Sequence, residues 1–134
     1  MLTEVVNKME TNLAISVDLK KYRLRIHKKT LHILGMPSYV QLLINPVEMI
    51  IAICGAEEKT PEAHKVHLSQ LNADNSFELY SKSFVNQLKA IVPNLDPGHS
   101  YRFYGKKVTN KNAVIFQMTS IEKITRNEVN TVNE

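Results

Sequence analysis

Hydrophobic and polar positions alternate strictly from Tyr22 to His27, with Tyr22, Leu24 and Ile26 on one side and Arg23, Arg25 and His27 on the other. A period of two is the signature of a strand with one packed face. The period then changes: Leu31, Ile33 and Leu34 are spaced as on a short helix, and Gly35 stands where a left-handed C-cap belongs. Pro37 rules out continuation. Upstream, Leu13, Ile15 and Val17 alternate with Ala14 and Ser16, which predicts another strand, and Asp18 marks a bend between the two. Downstream, Tyr39–Ile44 and Met49–Cys54 are apolar, strand-forming runs separated by the turn signal Asn45-Pro46, hence a hairpin.

From residue 55 to 76 the chain turns polar, with Glu57-Glu58, Pro61 and the turn-prone Asn72–Ser76 around a short candidate strand at Lys65–Leu68. The same order of elements then returns. Phe77–Tyr80 reads as a strand, and Ser81 caps a helix from Lys82 to about Val92. On that helix Phe84, Val85, Leu88, Ile91 and Val92 form one stripe at helical period. Pro93 ends it, Asn94–Gly98 is a turn, and Tyr101–Tyr104 and Ala113–Met118 are strands on either side of a polar loop. The expected fold is α+β: a small mixed sheet or barrel built from two strand–helix–strand–strand units, with the pseudo-twofold relation that such a repeat allows. A single unrepeated α+β domain is the alternative. Neither unit can bury its hydrophobic face alone. The expected organisation is an N-terminal arm at 1–12, one domain at 13–120 and a polar C-terminal tail at 121–134. Within the domain, half one covers 13–54, the linker 55–76 and half two 77–120.

Charge changes this picture at one place. Lys20, Lys21, Arg23, Arg25, Lys28 and Lys29 are six of 17 basic residues, and no acidic residue lies between Lys20 and Gly35. The formal net charge is +4, and without those six it is −2. A local excess of this kind is what a polyanion footprint requires, with His27 on the same face. The alternative is an edge strand protected from aggregation by its Lys and Arg residues. Arg102, Lys106, Lys107 and Lys111 form a second basic group, either an extension of the footprint or a solvated hairpin tip. Tyr101, Phe103 and Tyr104 interleave with it. Exposed aromatics there would suit stacking on bases, whereas Tyr101 and Phe103, sharing one strand face, are expected to pack in the core.

Catalytic chemistry finds little support. His64 and His67 could face one side of a helix, but no further Cys, Asp or Glu completes a metal set beyond Glu62, so no metal and no cofactor is expected. Glycine-rich phosphate loops and nucleophile elbows are absent from the sequence. The single Cys54, in an apolar run, reads as a small buried hydrophobe. No catalytic residue and no enzymatic activity are expected. With one cysteine and no apolar run long enough to span a bilayer, the expected location is the cytoplasm, without membrane association.

The run RLRIHKKTLHILGMPSYVQLLINPVEMIIAI resembles the swapped-hairpin element of the AbrB and MraZ transcription regulators. The matching positions are Leu24, Ile26, Leu31, Leu34-Gly35, Val40, Leu42, Ile51 and Ile53, over roughly 30 residues, with a fainter match from Leu79 to Met118. The chain departs from the family pattern at Ile26-His27, at Thr30 and His32, and at Pro37-Ser38. The resemblance implies strands interleaved in a homodimer or internal pseudo-dimer, and double-stranded DNA contacted by basic residues near the first strand. Lys20, Lys21, Lys28 and Lys29 would then neutralise phosphates, while Arg23 and Arg25 reach guanine edges. The expected function is a small non-enzymatic DNA-binding regulator. The alternative is a protein-interaction module or inhibitor, as on a mobile element or phage, meeting an acidic protein partner.

Overall fold

The computed structural model describes residues 13–67 and 75–124. The N-terminal arm (1–12), residues 68–74 of the expected linker and the tail from residue 125 lie outside the described residues. In chain order the elements are β1 (Leu13–Asp18), β2 (Arg23–His27), α1 (Lys28–Ile33), β3 (Tyr39–Asn45), β4 (Ile50–Ala56), β5 (Ala63–Lys65), β6 (Ser76–Tyr80), α2 (Lys82–Ile91), β7 (Ser100–Lys107) and β8 (Ala113–Ile124). The strands form one sheet in the order β5-β3-β4-β8-β7-β1-β2-β6, antiparallel at every pairing, which curls into a nearly closed barrel.

Alternation drives the curling. Ile15, Val17, Leu24, Ile26, Ile51, Ile53, Phe103 and Phe116 are all essentially inaccessible and line the interior, while the residues between them face outward. A sheet that curls buries its apolar face against itself and needs no helical layer for a core. The expected α+β fold of two strand–helix–strand–strand units is therefore overturned: antiparallel strands dominate, and only two short helices are present. Two described strands precede α1 and four lie between the helices, and β2 pairs with β6 while β4 pairs with β8, so the halves share one sheet and form no separate units. Helical periodicity was genuine, but it carries little of the architecture. Leu31 and Leu34 anchor α1, and Phe84, Val85 and Leu88 anchor α2 against the barrel.

Local chemistry fixes the element ends. Ser81 Oγ accepts from the Phe84 N–H at 3.2 Å to cap α2, and Gly35 takes φ +80° after α1. Asp18 Oδ1 accepts from the N–H groups of Lys20 and Lys21, at 3.0 and 3.1 Å, which turns the chain from β1 into β2. Strands also reach further than their apolar runs. β5 begins at Ala63 and pairs with Tyr39–Gln41, so part of the expected linker belongs to the sheet, and β8 continues to Ile124.

β8 carries an irregularity that matters for the surface. Arg102 stands opposite Glu122, yet Tyr104 stands opposite Gln117, so β8 accommodates three extra residues over that step. Ser120 fills the interrupted ladder, its hydroxyl accepting from the Tyr104 N–H at 2.8 Å and donating to the Gln117 carbonyl at 2.6 Å. On the other side of the bulge the strands approach closely. A Cβ on Gly105 would lie 1.9 Å from the Ile115 carbonyl oxygen, so only glycine fits there.

Candidate nucleic-acid interface

β2 runs from the β1–β2 turn at one end of the barrel to α1 at the other, so the basic stretch is pulled apart. Five strand residues cover about 17 Å. Lys20 and Lys21 sit in the turn, exposed; Lys28 and Lys29 open α1 at the opposite end. Between them the arginines are occupied. Arg23 Nη2 lies 3.2 Å from Asp18 Oδ2, and the two side chains are only 17% and 13% exposed. Arg25 Nε donates to Glu78 Oε2 at 2.7 Å, with Glu78 its direct cross-strand neighbour on β6. Arg23 is thus committed to the turn and is not placed to reach base edges. Its Nε is buried without a hydrogen-bond partner among the described residues.

His27 is exposed and serves as the N-cap of α1, its Nδ1 accepting from the Lys29 N–H at 3.0 Å. Since Nδ1 is the acceptor in that bond, the proton of the neutral ring resides on Nε2, facing outward as a donor. The second basic group is likewise divided. Arg102 pairs with Glu122 at 3.4 Å, and Lys107 Nζ donates to the carbonyls of Val108 and Lys111 in its own hairpin loop. Lys106 and Lys111 have no ion pair among the described residues. Tyr101 and Phe103 are core residues, and Tyr104 donates its hydroxyl proton to Glu122 at 2.9 Å, so this aromatic group offers no stacking platform.

A different cationic cluster emerges at the turn end. Tyr22, expected in the strand, lies instead in the β1–β2 turn with φ +55°, and its carbonyl accepts from the Ser81 N–H at 3.0 Å. That bond brings the start of α2 against the turn. Lys82 Nζ and Lys89 Nζ stand 5.6 and 5.5 Å from the centre of the Tyr22 ring. Lys82 and Lys89 are seven residues apart and therefore share one helix face. Lys20 and Lys21 immediately precede Tyr22 in the turn, so four lysines lie at this end of the barrel, two of them over one ring. None of them has an ion pair among the described residues. Tyr80, 62% exposed, lies beside them at the end of β6. The i, i+7 lysine pair was visible in the sequence; its meeting with Tyr22 depends on the sheet order and was not.

The remaining candidates resolve simply. His64 lies in strand β5 rather than on a helix, so its spacing from His67 no longer places both rings on one side, and the described residues contain no group of three metal-ligating side chains. Burial lowers the His64 pKa and keeps it neutral near pH 7. Burial likewise raises the Cys54 thiol, an effect that Lys111 partly opposes, which disfavours the thiolate. No described helix is long and apolar enough to cross a membrane. The chain matches no protein-family model, no curated protein and no solved structure.

Proposed function

We propose that the protein is a non-enzymatic DNA-binding regulator that grips duplex phosphates with Lys20, Lys21, Lys82 and Lys89. The observation that carries this reading is the pair Lys82 and Lys89 over the Tyr22 ring beside the exposed turn lysines Lys20 and Lys21, none of the four with a carboxylate partner among the described residues. Each ammonium that meets a phosphate releases condensed counterions, so affinity comes from the salt-dependent backbone term. The Tyr22 ring face holds two of the ammoniums in place, each contact contributing about 0.5–1 kcal/mol at an exposed site. Ser83, Asn86 and Gln87, exposed on α2, add neutral groups able to hydrogen-bond phosphate oxygens. Arg23 and Arg25 play no base-reading part in this arrangement. Kinship with the AbrB and MraZ regulators belongs to the same proposal. It is supported by Leu24, Ile26, Leu31 and Leu34 being buried around a strand-to-helix step that ends at a left-handed glycine. A cytoplasmic setting is part of the reading too, supported by the lone, poorly ionised Cys54.

Fluorescence anisotropy with a labelled duplex over a salt series tests it. Four phosphate contacts give a slope of log affinity against log salt of about −3.6. The Lys20→Ala/Lys21→Ala/Lys82→Ala/Lys89→Ala variant should bind weakly with a slope near zero. Absence of duplex binding by the parent at low salt overturns the proposal and leaves the lysines to an acidic protein partner.

A further inference from the structure

The outward face of β1 carries Ala14, Ser16 and Asp18, short side chains between two strands with long ones. The register sets Arg25 of β2 on one side of Ser16 and Arg102 of β7 on the other. The result is a trench, with a depression of about 220 Å³ bordered by Ala14, Ser16, Arg25, His27, Ser76 and Arg102. It continues toward the turn end as a smaller hollow that shares Ser16 and Arg25. No acidic residue borders the larger depression.

Both guanidiniums are held from the far side. Glu78 on β6 takes Arg25 Nε, and Glu122 on β8 takes Arg102 Nη1 while also accepting the Tyr104 hydroxyl. Each arginine has five N–H donors, and these pairs use one on each, so most remain for a ligand in the trench. The walls stand about 10 Å apart at the backbone, two strand spacings. His27 adds an Nε2–H donor, and Ser16 a hydroxyl that makes no hydrogen bond among the described residues.

We infer that this trench is a binding site for a phosphate group, clamped between Arg25 and Arg102 over Ser16. Two opposed guanidiniums, an imidazole N–H and a hydroxyl supply donors to several oxygens of one tetrahedral anion. Charge-assisted bonds of this kind are roughly twice as strong as neutral ones. The site is separate from the lysine cluster and does not depend on it. Free phosphate, a phosphate monoester or the phosphate of a nucleic acid would present the same chemistry.

Titration of the full chain with inorganic phosphate, followed by ¹H–¹⁵N NMR, is the test. Saturable shifts are expected at the Arg25 and Arg102 Nε–H signals and at the Ser16 and His27 amides. Ser16→Asp, which places a carboxylate on the trench floor, should weaken the response about tenfold, the loss of one good charge-assisted bond. Unmoved signals elsewhere report an intact barrel, and Arg102→Gln provides the same test should Ser16→Asp fail to fold. Non-saturating shifts spread over all Lys and Arg residues, or an undiminished response in both variants, overturn the inference. The quadruple lysine variant separates the two readings, because it should lose duplex binding and keep the phosphate response. A nucleoside 5′-monophosphate and an unphosphorylated oligonucleotide, used as competitors, distinguish ester from backbone phosphate.

Discussion

Thr30 is wholly buried in α1, and its Oγ1 has no hydrogen-bond partner among the described residues. An unpaired buried hydroxyl carries its desolvation cost with nothing to offset it. Thr30→Val keeps shape and branching while removing that cost, so urea unfolding should show a gain of about 1 kcal/mol. A loss instead would mean that the hydroxyl is satisfied in solution. Arg23 teaches the reverse lesson about charge. In the sequence it looked like part of an exposed basic face, because alternation reports only which side of a strand a residue takes. Whether an outward arginine is free depends on its cross-strand neighbours. Asp18, at its register position on β1, claims Arg23, and Glu78, 53 residues away in the chain, claims Arg25.

Among the elements, nearly every strand and both helices were legible, since alternation, caps and prolines are local signals. Ser81, Gly35 and Asp18 mark their boundaries in sequence and do so in the structure. What could not be read was which strands become neighbours beyond local hairpins such as β3–β4. The lysine cluster needs α2 beside the β1–β2 turn, and the arginine trench needs β1 between β2 and β7; both follow from sheet order alone. The β8 bulge was equally hidden, although it decides that Glu122 stands beside Arg102. Ser120→Ala should expose how far the bulge depends on one hydroxyl. The Tyr104 N–H loses its acceptor, with an expected cost of about 1–2 kcal/mol in urea unfolding. Weakening of the Arg102–Glu122 pair should accompany it, read as a shift of the Arg102 Nε–H signal.

For the whole molecule, the barrel turns a one-dimensional charge run into a three-dimensional distribution. Lys20 and Lys21 go to one end, Lys28 and Lys29 to the other, and each arginine between them is paired with one carboxylate. A local excess in sequence is therefore a poor guide to a local excess on a sheet whose strands run the length of the body. The closure that produces this separation also sets an order of events. β8, the last described strand in the chain, lies in the middle of the sheet between β4 and β7. During synthesis the facing edges of both neighbours stay unpaired until Ala113–Ile124 has left the ribosome, so the two parts of the sheet cannot join before that late step. A fragment ending at Asn112 should show no cooperative urea transition, and adding a peptide of residues 113–124 should restore one. Until that strand arrives, the open edges of β4 and β7 are templates for pairing with another chain, so the moment of greatest aggregation risk is just before the last described strand is made.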